Sequence, residues 1–264
     1  MSGERSAEAH RGFLASLFGK TIVYLRSTSS TNEVAKELAG DGAPEGTVVL
    51  AGEQTAGRGR LGRAWYSPRG GSVLLSIIFR PRFAPTELFL LTMLTASAVC
   101  RAVEETAGLA CSLKWPNDVQ IGGRKVCGIL AEAAIEGDAL AFAVVGVGLN
   151  VNVDIGAYAD IKDIATSLAR ELGNRTPRGP LLRSILAGIE SRYRIVEAGE
   201  RHAVFEEWRS RLSTLGKMVA VTDGPRRENG LALDVAGDGT LLVRRDDGTV
   251  FHAVAGDVSL RESP

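Results

Sequence analysis

The chain has 264 residues, of which 45% are hydrophobic and 23% are charged, and this length allows one large domain or a domain of about 200 residues with a small one beside it. Its 31 basic and 31 acidic residues balance, which disfavours a nucleic-acid-binding domain because such domains usually carry a basic excess. No apolar run reaches the roughly 18 residues of a membrane helix. The charged N-terminus MSGERSAEAHRGF is unlike a signal peptide.

Metal-binding and disulfide patterns are missing from the sequence. The cysteines Cys100, Cys111 and Cys127 form no C-x-x-C motif, and the three histidines lie far apart, so the spacing predicts no zinc site. An odd number of free thiols is typical of a reducing compartment. We therefore expect a soluble cytoplasmic protein.

Local patterns in the first half of the chain predict alternating strands and helices. In chain order they predict a short helix within 1–20, strands at 21–27, 46–54 and 71–79, and a helix at 86–106 that ends at Gly108. Another helix follows the first strand. Ser30 and Glu33 fit a capping box at its start, and Gly40 marks its end.

The second half begins with consecutive strands and ends with a different kind of segment. The patterns predict strands at 111–115, 118–135 and 139–152, followed by helices at 163–172, 180–198 and 201–212. Tight turns such as Gly122–Gly123 between these strands predict an antiparallel meander. From about Leu215, short strands with Gly-Asp-Gly and Asp-Asp-Gly turns predict a small β-barrel. We expect domains at 1–213 and 214–264.

The segment GRGRLGRAW, residues 57–65, matches the spacing of a dinucleotide-binding fingerprint. That fingerprint requires a helix directly after the last glycine, whereas RAWYSPRGG and then a strand follow here. No acidic residue occurs between Gln54 and Thr86, where six arginines do. Two interpretations stay open: a solvated basic loop, or a site where glycines let the backbone approach an anion and arginines donate to it.

A second dense segment, KWPNDVQIGGRKVCGILAE, covers residues 114–132. It places charged and amide side chains among apolar ones: Lys114, Asn117, Asp118, Arg124, Lys125 and Glu132. The residues Pro116, Asn117 and Asp118 favour a turn. Lys125 alternates with Val126 at the start of an apolar strand. Its side chain either points into a pocket as a cation for phosphate or ends in water.

Four motifs together carry a family resemblance. They are STN at 30–32, EQTAGRGRLGRAWYSP at 53–68, KWPNDV with GRKVCGIL within 114–130, and GVGLNVN at 146–152. In this order and spacing, the chain closely resembles biotin–protein ligases, also called biotin–[acetyl-CoA-carboxylase] ligases, over about residues 20–262. The resemblance implies an α+β fold, similar to class II aminoacyl-tRNA synthetases: a mixed, mainly antiparallel sheet with flanking helices, followed by an SH3-like barrel.

The resemblance also implies a reaction in two steps. The carboxylate of biotin attacks the α-phosphate of MgATP, giving biotinyl-5′-AMP and pyrophosphate. A lysine of the biotin carboxyl carrier protein then attacks this intermediate and releases AMP. Because the first step drives one anion onto another, catalysis should depend on positioning and charge neutralisation.

Site residues follow from the same resemblance. It implies catalytic roles for Arg60, Lys125 and Asp118. The implied biotin-binding residues are Ser30, Thr31, Asn32, Gln54, Gly57, Arg58, Gly59, Arg60, Lys125 and Gly128. The implied ATP-binding residues are Arg60, Arg63, Trp65, Asn117, Asp118, Lys125 and Asn150. No dedicated metal site is implied: Mg²⁺ would be held by the ATP phosphates, with Asp118 as the candidate protein ligand.

Two features depart from the family pattern. Leu61 stands where the resemblance implies another arginine, so we expect fewer phosphate contacts. Bifunctional members carry an N-terminal DNA-binding domain, whereas about 20 residues precede the first predicted strand here, so we expect no operator binding. The family includes monomers and dimers, and the sequence favours neither.

Two alternative functions remain at this point. A lipoate–protein ligase would share the sheet, although we would not expect it to carry the GRGR loop. A nucleic-acid-binding protein could use the Arg/Gly loop, but the neutral net charge and the few aromatic residues near its arginines disfavour this. We also expect the 57–66 loop to become ordered around its ligand.

Overall fold

A computed structural model of the chain describes residues 18–223, 226–254 and 257–260. The helix predicted within 1–20 lies largely outside these residues, and 18–20 form a turn. The helices are α1 (Thr31–Gly40), α2 (Phe89–Ala107), α3 (Leu168–Leu172), α4 (Arg178–Glu197) and α5 (Arg201–Ser210). The strands are β1 (Ile22–Leu25), β2 (Val48–Ala51), β3 (Gln54–Arg58), β4 (Ala64–Ser67), β5 (Ser72–Phe79), β6 (Ser112–Lys114), β7 (Asp118–Ile121), β8 (Arg124–Glu136), β9 (Ala139–Asn150), β10 (Met218–Asp223), β11 (Arg226–Val235), β12 (Leu241–Arg244), β13 (Val250–Ala253) and β14 (Asp257–Leu260).

The main sheet has seven strands in the order β1-β2-β5-β9-β8-β7-β6. Only β1 and β2 pair in parallel, and the other neighbours are antiparallel. The predicted mixed, mainly antiparallel sheet is therefore confirmed, and β6 to β9 form the predicted meander.

Helices cover both faces of this sheet. Alternating residues separate the two cores: Ile77 faces the larger core, while its neighbour Ile78 packs with Ala35 and Ala39 of α1. Helices α4 and α5 pack against α2. Because it is covered on both faces, β5 is buried along all eight residues.

Helix α2 is more apolar than the sequence analysis suggested. With its preceding turn it forms the segment Pro85–Ala107, which among the described residues is the one helix long and apolar enough to cross a membrane. Its most apolar window is 72% buried inside the fold, as expected for a core helix. It ends at Gly108 in the left-handed conformation (φ 67°), as predicted.

Some predicted boundaries and contacts were wrong. Ser30 stands at the N-cap of α1, but its side chain makes no capping hydrogen bond, and the Glu33 carboxylate pairs with Lys36 and Arg58. The strand predicted at 46–54 is split between β2 and β3. The helix predicted at 163–172 begins only at Leu168, since the backbone at 164–166 hydrogen-bonds to Lys125.

The C-terminal strands form a separate antiparallel sheet in the order β13-β12-β11-β10-β14, in keeping with the predicted SH3-like unit. Its buried side chains, such as Val219 and Leu241, join the main core. The indole N–H of Trp115 donates to the carbonyl of Gly239 at 2.8 Å. This contact holds the turn between β11 and β12 against the main sheet.

Candidate active site

A cavity of about 680 Å³ lies between the β3–β4 hairpin, the meander and residues 155–165. Its volume is within the range of small-molecule sites. The C-terminal sheet contributes Thr222 and Val258 to its wall. Several parts of the chain that are distant in sequence therefore meet at this cavity.

The cavity gathers nearly all of the predicted site residues. Those that line it are Ser30, Thr31, Asn32, Gln54, Arg58, Gly59, Arg60, Arg63, Trp65, Asn117, Asp118, Lys125, Gly128 and Asn150. Gly57 is the exception and lies behind the lining. A Cβ atom at Gly57 would lie 2.6 Å from the Trp65 carbonyl oxygen and 2.9 Å from Gln54 Nε2. The lack of a side chain here lets the hairpin close beside Gln54.

The GRGR segment is the turn of the β3–β4 hairpin. Arg58 pairs with Ala64 across the strands, and a short 3₁₀ turn covers Arg60–Gly62. A strand follows the glycines, so the dinucleotide fingerprint is excluded. Leu61 adopts the left-handed conformation (φ 55°) and is 67% exposed. The side chain that replaces the expected arginine therefore points largely into solvent.

The arginines around this hairpin fall into two groups. Arg58, Arg60 and Arg63 line the cavity. Arg80, by contrast, donates to the carbonyl oxygens of Ala39, Ala43 and Ala141. It satisfies the Ala39 carbonyl at the C-terminus of α1 together with carbonyls of the following loop and of β9, which is a structural role.

Glycines of β8 and β9 form the floor of the cavity. Gly128 pairs with Gly148 across the two strands. A Cβ atom at Gly148 would lie 2.6 Å from Trp65 Nε1, and one at Gly146 would lie 2.2 Å from Asn32 Oδ1. The sequence analysis listed both glycines within the GVGLNVN motif but predicted no role for either of them. The signal was the Gly-x-Gly spacing, which places both positions on one face of a strand.

Cationic and amide groups gather beside this floor. Lys125 Nζ lies 2.7 Å from Asp118 Oδ1 and 5.3 Å from the centre of the Trp65 ring. Arg60 Nη1 donates to Asn117 Oδ1 at 3.4 Å. The Lys125 side chain thus enters the cavity, which decides between its two sequence interpretations. These groups can neutralise an anion in a partly desolvated site.

A buried polar cluster lies at the start of α1. Gln54 Oε1 accepts from the Thr31 backbone N–H at 2.7 Å and from Thr31 Oγ1 at 3.0 Å. Because the backbone group must donate, the Gln54 oxygen faces Thr31 and the amide nitrogen is left for other acceptors. Ser76 Oγ lies behind this pair, 2.8 Å from Thr31 Oγ1.

Residues 155–165 form the opposite wall, and sequence reasoning missed its link to the hairpin. The rings of Tyr66 and Tyr158 stack with their centres 4.5 Å apart. The Tyr66 hydroxyl donates to Asp160 Oδ2 at 2.9 Å. This hydrogen bond raises the pKa of Tyr66. We call these three side chains the tyrosine clasp.

Among the residues that the structure describes, no group of three histidine, cysteine or acidic side chains could hold a metal ion. The Asp118 carboxylate does line the cavity. Mg²⁺ commonly binds one or two carboxylates together with substrate phosphates. The donor set thus fits an ion that arrives with a phosphate ligand.

This fold and cavity correspond to a known class of ligating enzymes. Residues 24–150 match the Biotin/lipoate A/B protein ligase family, and residues 214–261 match the Biotin protein ligase C terminal domain.

Individual relatives show which members of this class of ligating enzymes the chain resembles. The chain is 37% identical over 243 residues to the Bifunctional ligase/repressor BirA of Bacillus subtilis, covering 92% of this chain and 75% of the relative. It is 34% identical to the Biotin--[acetyl-CoA-carboxylase] ligase of Mycobacterium tuberculosis, covering 88% and 85%. The biotin protein ligase from Aquifex aeolicus, solved in complex with biotin and ATP, superposes with a TM-score of 0.77 at 30% identity, covering 92% of this chain and 100% of that one. The chain therefore belongs to the biotin protein ligase family.

Proposed function

We propose that this chain is an ATP-dependent biotin–protein ligase. It activates biotin as biotinyl-5′-AMP and transfers the biotinyl group to a lysine of the carrier protein of acetyl-CoA carboxylase or another biotin-dependent carboxylase. The observation that carries the proposal is the single cavity, which joins a buried polar cluster at Thr31 and Gln54 to the Arg60 and Lys125 cations. Such a site can hold an uncharged polar ring at one end and two anionic groups at the other.

In the first step, a carboxylate oxygen of biotin forms a bond to the α-phosphorus of ATP, and the bond to pyrophosphate breaks. Two negatively charged groups must approach each other for this reaction. Lys125 and Arg60 lower the repulsion by donating to the carboxylate and to the phosphate oxygens. The side chains of this site supply no nucleophile in the proposed step.

In the second step, the amine of the carrier lysine attacks the carbonyl carbon of the biotinyl group. The amide bond forms, the bond to the AMP oxygen breaks, and the lysine loses its proton. Asp118 is the candidate to assist that proton loss, and its 2.7 Å contact holds Lys125 in place during both steps.

The remaining side chains bind and orient the substrates. Ser30, Thr31 and Gln54 would hydrogen-bond the ureido ring of biotin. Trp65 would pack in the adenylate pocket, and Asn150 would lie near the adenine. Further residues that line the cavity would also contact the substrates. Those for biotin are Asn32, Arg58, Gly59 and Gly128, and those for ATP are Arg63, Asn117 and Asp118. Mg²⁺ supplies charge neutralisation at the phosphates when it is bound.

We also infer the domain boundaries of the enzyme and its location in the cell. The catalytic domain would comprise residues 1–213 and the C-terminal domain residues 214–264. The enzyme would act in the cytoplasm, where its carboxylase partner is made and where its three cysteines stay reduced.

The test is exchange of labelled pyrophosphate into ATP by the purified chain. We expect exchange that requires biotin and Mg²⁺ and that lipoate does not support, followed by labelling of a carrier protein lysine. Exchange with lipoate and not with biotin would instead establish the lipoate ligase, a function that the matched family description also covers.

A further inference from the structure

Glu132 lies in β8, outside the set of residues assigned to the site above. Its carboxylate joins this strand to α1, because Oε2 accepts from Asn32 Nδ2 at 2.7 Å and Oε1 accepts from Lys36 Nζ at 2.9 Å. Burial opposes ionisation, but the hydrogen bonds from Asn32 and Lys36 hold the pKa of Glu132 below its usual range. At neutral pH this group is therefore an acceptor at both oxygens.

A carboxylate fixes which way the Asn32 amide faces. The amide nitrogen donates to Glu132 and to the Leu130 carbonyl, while Oδ1 lies 2.6 Å from Ser76 Oγ. Since a carboxylate only accepts, it requires the nitrogen of Asn32 on its own side. The oxygen of Asn32 must then face Ser76. Asn32 is 5% exposed, so water cannot readily replace these contacts.

The same chain of hydrogen bonds continues to the cavity wall. Ser76 Oγ lies 2.8 Å from Thr31 Oγ1, which in turn lies 3.0 Å from Gln54 Oε1. A hydroxyl has one proton to donate, so the partner that one hydroxyl chooses restricts the choice of the next. Thr31 and Gln54 line the cavity, whereas Ser76 and Glu132 stand behind it.

We infer that Glu132 is a positioning residue that, through Asn32 and Ser76, sets the direction of the hydrogen bond at the Thr31 hydroxyl. The inference rests on the proposed function, in which Thr31 and the neighbouring Gln54 recognise the ureido ring of biotin. A ureido ring presents one carbonyl acceptor and two N–H donors, so it requires a defined pattern on the protein. Removing the carboxylate leaves the longer 3.3 Å contact with the Leu130 carbonyl to hold the Asn32 nitrogen, which weakens the preference for one amide orientation and mixes that pattern.

The first test is calorimetric binding of biotin to the full chain without ATP. Glu132→Ala should raise the biotin Kd about tenfold, because a buried donor loses its partner. Lys36→Gln is the matched control: it removes the ion pair to the same carboxylate and leaves the Asn32 contact. Its Kd should stay within about threefold of wild type, because a partly exposed ion pair contributes little.

Two substitutions of similar size separate positioning from simple packing. Glu132→Gln keeps an oxygen that can accept from Asn32, so the biotin Kd should stay within about threefold of wild type. Glu132→Leu fills similar space without an acceptor, so the Kd should rise about tenfold, as in Glu132→Ala. This pair also keeps the test informative if Glu132→Ala does not fold.

The exchange assay supplies a second measure. Glu132→Ala should raise KM for biotin about tenfold and leave KM for ATP and kcat near wild type. Unchanged biotin affinity in Glu132→Ala, or equal biotin affinity in Glu132→Gln and Glu132→Leu, would overturn the positioning role alone. Absence of biotin binding by the wild-type chain would contradict the proposed function itself.

Discussion

Single residues decide how much charge and how much space the cavity contains. Lys125 and Asp118 meet at 2.7 Å, and the Trp65 ring covers the ammonium. Gly128 and Gly148 leave the room that the Trp65 ring occupies. Charge and space can each be changed here by one substitution.

Lys125→Ala should lower the rate of biotin-dependent pyrophosphate exchange about 10²-fold or more, because the cation acts where negative charge accumulates. The thermal midpoint should change little, since a partly exposed pair contributes little to stability. The neighbouring Arg124, which pairs with Glu171, supplies the control: Arg124→Gln should retain exchange. Near-normal exchange in Lys125→Ala would show that its assigned role is wrong.

Gly148→Ala should displace Trp65, because the new Cβ would lie 2.6 Å from its indole nitrogen. We expect exchange to fall about tenfold or more, since small misplacements in a site have large effects on rate. Gly40→Ala is the matched control, because a Cβ at Gly40 meets no atom within 4 Å. Equal exchange rates in the two variants would mean that the position of Trp65 does not depend on the lack of a side chain at residue 148.

Sequence patterns identified these charged residues without deciding their orientation. The alternation of Lys125 with Val126 allowed both a pocket and a solvent position. The choice depends on β7 and on residues 164–166, which pair with β8 around it. The left-handed conformation of Leu61 was also unpredictable, because bulky side chains rarely adopt it.

At the scale of elements, the hairpin and residues 155–165 enclose the cavity from opposite sides. The tyrosine clasp joins them through ring stacking and through the hydrogen bond from Tyr66 to Asp160. A raised folded-state pKa means that the neutral Tyr66 hydroxyl is favoured. The contribution of this hydrogen bond to the stability of the folded chain is therefore fully present below the usual tyrosine pKa. It is lost as the pH rises through the raised pKa of Tyr66.

Tyr66→Phe removes this hydrogen bond and preserves the stacked ring. We expect faster proteolysis within 57–66 and a KM for ATP about threefold higher, because one ordering contact is lost. Biotin with ATP should slow that cleavage in the wild-type chain. Tyr24→Phe, at an exposed tyrosine of β1, is the control and should behave as wild type. Identical cleavage rates in all three chains would argue against the clasp.

Strand and helix types were predictable because their apolar periods are local, but several ends were not. Residues 164–166 were predicted to be helical, but Ile164 and Thr166 instead hydrogen-bond to the backbone of Lys125, which is about 40 positions earlier in the chain. The capping box at Ser30 and Glu33 failed for a similar reason. Arg58, brought close by the hairpin, binds the Glu33 carboxylate.

The whole molecule depends on how the C-terminal sheet docks against the main one. Gly239 in the β11–β12 turn lies so close to α2 that a Cβ would be 2.1 Å from Phe89 Cδ1. Its carbonyl accepts from Trp115, which also lines the cavity. Docking of the sheet is thus connected to the site through one side chain.

Gly239→Ala should weaken this docking. The left-handed conformation alone costs an alanine about 1–2 kcal/mol, and the clash with Phe89 should add about 1–3 kcal/mol. Gly248→Ala is the matched control. Gly248 also has a positive φ (84°), but a Cβ atom there would meet no atom within 4 Å. The free energies of unfolding of the two variants, measured in urea, should differ by the clash alone. Equal losses would contradict the close packing.

Sequence patterns alone identified the family, the alternation of strands and helices, and a set of site residues of which all but Gly57 line the cavity, because these follow from local composition and from motif spacing. The folded chain was needed to show that Lys125 faces inward, that Gly57 stands behind the lining, and that Gly146 and Gly148 form the floor. It also revealed Glu132 and the tyrosine clasp. Those contacts join residues far apart in the chain, and only folding brings their donors and acceptors within hydrogen-bonding distance.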